Sequence, residues 1–191
     1  MLANDPAVSR SDTTQGACLA SLGEPREERN WYALHTRARH EKAIQQRLRE
    51  QGMETYLPTT VKVHRWSDRQ KKVEVPVFGC YVFVRCTLSA EDRSLIYRID
   101  GVLSILSSRG SGLRISDHEI EALRKVLTQS RPWRSYPFPK VGQRVRVRGG
   151  AMDGVEGLFL AENGDRSLVI SVDAIQRSIA LRIDGYDVEP V

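Results

Sequence analysis

The chain has 191 residues, of which 40% are hydrophobic and 28% are charged, and its formal net charge is +5. This length allows one or two domains, and the composition is typical of a folded globular protein. No apolar run approaches the ~20 residues that a membrane-spanning helix needs. Three cysteines without a C-x-x-C pair disfavour a disulfide framework or a zinc site, so we expect a cytoplasmic protein in a reducing environment.

The positive charge is concentrated in one segment. Residues 1–29 contain 3 basic and 5 acidic residues, whereas residues 30–72 contain 10 basic and 4 acidic residues. The first segment lacks the apolar run of a secretory signal, and we predict a disordered tail. The second segment can attract phosphate backbones, although an ordinary solvated surface explains the same charge.

The chain from residue 30 to residue 128 alternates short strand and helix patterns. The predicted strands are residues 31–36, 55–63, 73–77, 81–84 and 102–106. The predicted helices are residues 41–51 and 89–97 and a third helix that starts near residue 116. Ser116 and Glu119 match a capping box at the start of that third helix. The order β-α-β-β-β-α-β-α predicts an α+β sandwich, with helices packed on a mostly antiparallel sheet.

A proline-rich stretch separates this region from a second one. Residues 129–139 contain three prolines, which remove amide donors and stiffen the chain, so we predict a semi-rigid linker. In residues 140–191, Val145 and Val147 alternate with arginines, and glycines follow up to Gly157. Two further alternating runs make enough strands for a small closed β-barrel.

The glycine-punctuated stretch of residues 141–157 resembles the KOW module, a small SH3-like β-barrel of transcription and translation proteins. Further landmarks are Trp31-Tyr32, Glu41-Lys42, residues 75–84 and Gly101-Val102. Together with the proline-rich linker, they make residues 30–191 similar to the NusG family of transcription elongation factors. That family usually has Pro-Gly-Tyr or Pro-Asn-Tyr where this chain has Gly79-Cys80-Tyr81.

The resemblance implies an NGN-type domain at residues 30–128, a linker at residues 129–139 and a KOW domain at residues 140–191. It implies a monomeric, non-enzymatic regulator without cofactor or metal. Such a protein docks on the clamp helices of the RNA polymerase β′ subunit, reaches the β subunit and suppresses pausing or termination. The compact hairpin at residues 66–72 is more similar to RfaH-like and UpxY-like antiterminators than to the housekeeping factor.

The resemblance also implies which residues contact the polymerase. Tyr81 and Phe83 share one face of their strand, and with His35 we expect them to form an apolar patch for the clamp helices. The alternative is that these rings belong to the core. For the β subunit, RfaH-like members use a His-Thr-Thr segment, and this chain offers Arg93 and Ser94 at that place.

Two further surfaces follow from the resemblance. The non-template DNA strand is expected to contact the basic residues Arg37, Arg39, Lys42 and Arg47. A small-subunit ribosomal protein or the termination factor Rho is expected to contact Met152, Val155 and Ile175. The alternatives are ordinary solvated charges for the first set and barrel core for the second.

Two rival functions remain open at this point. A ribosomal or other RNA-binding KOW protein would explain the C-terminal region but leaves residues 31–127 without a role. A general NusG that aids Rho would share the whole layout. The histidines His35, His40, His64 and His118 have no partners at metal-ligand spacing, and the glycines near Gly112 are not followed by a P-loop Gly-Lys-Ser/Thr.

Overall fold

A computed structural model describes most of the chain. The described residues are 28–65, 70–129, 133–136, 138, 142–162 and 165–191. The predicted tail at residues 1–29 therefore lies outside the described residues except for its last two positions, and so does most of the predicted hairpin tip.

The N-terminal part runs from β1 to α3. It begins with β1 (Asn30–Thr36), α1 (Glu41–Glu50), β2 (Glu54–Tyr56), β3 (Thr59–Arg65), β4 (Gln70–Pro76) and β5 (Tyr81–Cys86). It continues with α2 (Ala90–Tyr97), β6 (Val102–Ile105), β7 (Ser107–Ser108), β8 (Ser111–Gly112) and α3 (Asp117–Thr128). This matches the predicted order, except that residues 55–63 divide into β2 and β3 and that the sequence did not predict the short β7–β8 hairpin.

Four of these strands form the N-terminal sheet, in the order β2-β5-β1-β6 with antiparallel neighbours. The apolar strand β5 lies inside this sheet, as its sequence predicts. Among the described residues, strands β3 and β4 pair with each other and with no other strand, so they form a separate hairpin. The predicted α+β architecture is therefore confirmed for the N-terminal part.

The helices begin and pack where their sequences indicate. In α1, Ile44 and Leu48 are buried one turn apart. Ser116 is the N-cap of α3, and its hydroxyl accepts a hydrogen bond from the amide of His118 at 3.1 Å. The second half of the predicted capping box, a bond from the Ser116 amide to Glu119, is not among the hydrogen bonds of the described residues.

Both faces of the N-terminal sheet are covered. Tyr32, Leu34, Val82 and Val84 pack with the buried residues of α1 and α2. On the other face, Trp31, Ala33 and Phe83 pack with Ile120 and Leu123 of α3. Helices therefore cover both faces, because α3 folds back across the second one.

The C-terminal part forms a second antiparallel sheet, in the order β14-β10-β11-β12-β13-β9. Its strands are β9 (Trp133–Tyr136), β10 (Gln143–Arg148), β11 (Glu156–Glu162), β12 (Asp165–Val172), β13 (Arg177–Arg182) and β14 (Asp187–Pro190). One-turn 3₁₀ helices occupy Gly150–Met152 and Asp173–Ile175. We call these six strands the C-terminal sheet.

The start of this sheet corrects the predicted linker. β9 lies within residues 129–139, yet it pairs with β13 along Trp133–Tyr136. Prolines flank these four residues but none lies among them, so each retains an amide that can join a ladder. The alternation predicted around Val145 is confirmed, since Val145 and Val147 are buried in β10 while Arg144 and Arg148 are exposed. Burial does not alternate in β13, where all four residues from Ser178 to Leu181 are buried.

α3 also contacts the C-terminal part. It lies against β12 and the Gly150–Met152 turn, and its buried residues belong to the same apolar cluster as the core of the C-terminal sheet. Lys125 Nζ donates a hydrogen bond to the carbonyl oxygen of Asp153 at 3.2 Å. α3 therefore packs on the N-terminal sheet and on the C-terminal part at once.

Candidate functional site

An aromatic pair lies on the N-terminal sheet where β1 meets β5. His35 and Tyr81 are partners in the antiparallel register. Their ring centroids lie 5.5 Å apart, and both side chains are half-buried. The structure thus brings together two of the three residues predicted for the apolar patch and leaves both within reach of a partner.

The third predicted residue is not exposed. Phe83 is fully buried, with its ring 6.2 Å from that of Tyr56 and 6.5 Å from that of Phe78. The prediction of Phe83 as part of an accessible patch is therefore wrong, because α3 covers this face of the sheet. Phe83 contributes to the core beneath the pair instead, as the alternative interpretation held.

An arginine-aromatic cluster beside the pair was not predicted. The guanidinium carbon of Arg124 lies 5.3 Å from the ring centroid of Trp31 and 5.0 Å from that of Tyr56, and its NH2 lies 3.6 Å from a carboxylate oxygen of Glu54. Burial raises the pKa of Tyr56 to about 12, although the positive charge of Arg124 opposes that shift. Tyr56 is the partner of Phe83 across β2 and β5, so this cluster packs against the core of the sheet.

The predicted DNA-contacting residues differ in their surroundings. Arg37 forms an ion pair with Asp100 at 3.6 Å, and Lys42 forms one with Glu74 at 2.7 Å. The hydrogen bonds from Lys42, first, and from Thr59 lower the pKa of Glu74. Exposed pairs of this kind contribute little to stability and can exchange partners.

The other two predicted cations are unpaired in the part of the chain that the structure describes. Arg39 lies in the turn between β1 and α1, with φ at 68°, and Arg47 lies in the last turn of α1. Both side chains are exposed. They are therefore the more available members of the predicted basic surface.

Arg93 and Ser94 lie on α2, away from the aromatic pair. α2 packs on the sheet face that carries Leu34 and Val82, whereas His35 and Tyr81 belong to the opposite face. Arg93 Nε donates a hydrogen bond to the carbonyl oxygen of Leu88 at 3.3 Å. The structure therefore separates the two surfaces predicted for polymerase.

The three residues predicted for the C-terminal partner are buried. Met152, Val155 and Ile175 are exposed by 0%, 1% and 5% and belong to the cluster that includes α3. The expectation that they are exposed is therefore wrong for this arrangement. Positive φ values at Gly149, Gly150 and Gly154 let the chain turn tightly around Met152.

The described residues include two free cysteines, Cys80 and Cys86. No group of three or more His, Cys, Asp or Glu side chains with the arrangement of a metal site occurs within residues 28–65, 70–129, 133–136, 138, 142–162 and 165–191. Cys86 is buried, and burial raises the pKa of its thiol to about 11, so it carries little thiolate at neutral pH. The described helices include none that is long and apolar enough to cross a bilayer.

Comparison with known proteins gives a consistent set of similarities. The sequence model of the family described as "Transcription termination factor nusG" matches residues 29–124. The chain is 23% identical over 175 residues to the transcription termination/antitermination protein NusG of Lactococcus lactis subsp. lactis, covering 86% of this chain and 94% of that protein. It is 25% identical over 183 residues to the protein of the same name from Borreliella burgdorferi, covering 85% and 99% respectively.

Among solved structures, the chain is similar to the one titled "Domain interaction in Thermotoga maritima NusG". The two are 15% identical, and the match covers 81% of this chain and 93% of that chain with a TM-score of 0.45.

Proposed function

This chain belongs to the NusG family of transcription termination factors, and from that premise we propose that it binds RNA polymerase during elongation and suppresses pausing or termination. The domain layout proposed is an NGN-type domain at residues 30–128 and a KOW domain at residues 140–191. Binding makes and breaks no covalent bond, so the effect on the polymerase comes from preference for one of its conformations.

The observation that carries this proposal is the half-buried pair of His35 and Tyr81. Partly exposed aromatic rings on a rigid sheet are strong anchors, because they bury much apolar area with little loss of side-chain entropy. The proposed partner of this pair is the clamp-helix region of the β′ subunit. Beneath Tyr81, the buried ring of Phe83 keeps the strand in place.

Arg93 and Ser94 on the opposite side of the sheet are the proposed contact with the β subunit. Two contact surfaces on different faces suit a protein that spans a channel between two subunits. A protein that bound the closed channel only ~1.4 kcal/mol more tightly than the open one would shift that equilibrium tenfold. Pausing would fall accordingly.

The proposed partner of the C-terminal part is a small-subunit ribosomal protein or Rho. Met152, Val155 and Ile175 do not form its surface in the described arrangement, because they are buried. The two partners imply opposite outcomes, since coupling to a ribosome favours continued transcription and recruitment of Rho favours termination. We propose antitermination, and increased Rho-dependent termination would assign the general NusG role instead.

The experiment is a pause assay with purified polymerase and stalled elongation complexes. Tyr81→Ala is expected to reduce both polymerase binding and pause suppression at least tenfold. Val63→Ala is the control, because Val63 is a 52% exposed apolar residue on the β3–β4 hairpin, outside both proposed polymerase contacts, and it should behave as the unmodified chain. A folded Tyr81→Ala variant that binds normally would contradict the proposed contact.

A further inference from the structure

α3 joins the N-terminal and C-terminal parts through polar groups that surround an apolar centre. His118 Nε2 lies 3.7 Å from an oxygen of Glu156 on β11. Lys125, two turns further along, donates to the carbonyl oxygen of Asp153. Between these contacts, the apolar side chains of α3 enter the shared cluster. Polar contacts thus bound the interface at both ends of the apolar centre.

Glu119 lies at this interface and points into a cleft of about 270 Å³ between α3 and the C-terminal sheet. Its Oε2 is shielded from solvent and has no hydrogen-bond partner among the described residues. A buried carboxylate oxygen without a donor is costly to keep ionised. Protonation removes the charge, so burial of the protonated carboxyl group costs much less free energy.

The charged groups around the cleft do not balance Glu119. Asp173 faces it from the 3₁₀ turn before β13, and Arg144 faces it from β10. Glu156 on β11 and His118 on α3 are the other ionisable residues of the described lining, and Glu156 is already bound to Arg146 at 2.6 Å. Burial, first, and the charge of Asp173 raise the pKa of Glu119 to about 7, while Arg144 opposes the shift.

We propose that the contact between α3 and the C-terminal sheet is a proton-dependent latch, closed when Glu119 is protonated and loosened when Glu119 is ionised. Separation of the two surfaces hydrates Glu119 and moves it away from Asp173. The closed form therefore holds one more proton than the open form over part of the pH range, and protons drive closure by mass action.

The direction of the pH effect follows from the raised pKa. Stabilisation of the closed form by Glu119 is complete below the ordinary pKa of 4.5 and is lost as the pH rises through about 7. Because one proton is involved, the closing equilibrium constant falls by at most about tenfold per pH unit within that window. The response therefore lies between pH 4.5 and about 7, and near neutral pH the latch is close to the loosened end of it.

The test uses the full chain between pH 5 and pH 8.5. The carboxyl carbon resonance of Glu119 reports its ionisation, and the radius of gyration from small-angle X-ray scattering reports separation of the two parts. The proposal expects the radius to increase with pH, with a midpoint that matches the Glu119 titration. Glu119→Gln should keep the compact radius at pH 8.5.

Three further variants test whether Glu119, and not a neighbouring charged residue, is responsible for the pH response. Asp173→Asn removes a neighbouring negative charge and should move the midpoint to lower pH. Glu121→Gln, on an exposed position of the same helix, should leave the curve unchanged. His118→Asn removes the imidazole that contacts Glu156, and the pH response should persist without it.

Several results would overturn the latch. A radius that does not change with pH, or a change that survives Glu119→Gln, would each exclude it. Loss of the response in His118→Asn alone would assign the switch to the histidine pair instead. A dispersed amide spectrum of Glu119→Gln establishes that this variant is folded, and the Asp173→Asn midpoint tests the proposal independently of it.

Discussion

The carboxylate of Glu41 accepts a hydrogen bond from the backbone amide of Cys80 at 2.8 Å, which joins the first residue of α1 to the turn that enters β5. Glu41 is only 5% exposed. Tyr81 is the next residue after Cys80, so this bond helps to fix the position of the proposed polymerase contact. The first helix and the aromatic pair are therefore coupled through one buried polar contact.

Replacement of Glu41 by Ala should lower the free energy of unfolding by about 1–3 kcal/mol, because the Cys80 amide loses its acceptor. Glu41→Gln keeps an acceptor oxygen and should cost less. Urea unfolding followed by circular dichroism measures both. Glu50→Ala, at the exposed end of the same helix, is the control and should change stability by less than about 0.5 kcal/mol. Equal effects of Glu41→Ala and Glu50→Ala would contradict the coupling.

Cys80 itself has a left-handed backbone, with φ at 68°. The NusG family usually has glycine or asparagine at this position, directly before the tyrosine. Both residues tolerate a left-handed backbone, so the turn can have the same shape with Cys80 in their place. Cys80→Gly should relieve about 1–2 kcal/mol of backbone strain. The glycine also makes the unfolded chain more flexible, which costs about 0.5–1 kcal/mol. The free energy of unfolding should therefore rise by about 0.5 kcal/mol.

The controls at this position keep φ positive. Cys80→Ala also removes the thiol but not the strain, so its stability should stay close to that of the unmodified chain, and Cys80→Val should be clearly destabilised. The midpoints of thermal unfolding should decrease from the glycine variant to the alanine variant and then to the valine variant. A valine variant as stable as the glycine variant would show that the turn does not impose this conformation.

Gly157 permits a close approach between β11 and β12. A Cβ atom at this position would lie 2.6 Å from the carbonyl oxygen of Val169, a backbone atom that cannot rotate away. Gly157→Ala should therefore destabilise the C-terminal sheet by about 1–3 kcal/mol. Gly79→Ala is the control, because nothing lies within 4 Å of the added atom and its φ is not positive. Similar unfolding midpoints in urea for the two variants would contradict this explanation.

Local sequence patterns were sufficient for the helix starts and for most of the longer strands, but not for β7, β8 and β9. The apolar run of β5 predicted an interior strand, and the hydroxyl of Ser116 caps α3 as expected. Both features depend on residues close together in the chain, where hydrophobic period and capping chemistry act directly.

The errors about exposure share one cause, which is packing between distant segments. Phe83 and Met152 were predicted as exposed, and both are buried in the cluster to which α3 contributes. Nothing near either residue in the sequence indicates that α3 covers it. The stacking of Arg124 on Trp31 was missed for the same reason, since 93 positions separate the two residues.

Exposure of the basic residues predicts an order of importance for contact with the non-template strand. Arg39 and Arg47 are exposed without an ion pair in the described part of the chain, whereas Lys42 is held by Glu74. Charge reversal of Arg39 alone or of Arg47 alone should therefore reduce DNA cross-linking in an elongation complex more than charge reversal of Lys42 does. Cross-linking yields measured across a salt series check this order.

The salt series gives the prediction a quantitative form. Removal of one cation that neutralises a phosphate of single-stranded DNA should flatten the slope of log affinity against log salt by about 0.7. Arg177→Glu is the control, because Arg177 is an exposed arginine on β13, outside the proposed basic surface. An Arg39→Glu variant with the same slope and the same yield as Arg177→Glu would exclude Arg39 from the DNA interface. The basic excess of residues 30–72 would then serve as a solvated surface there.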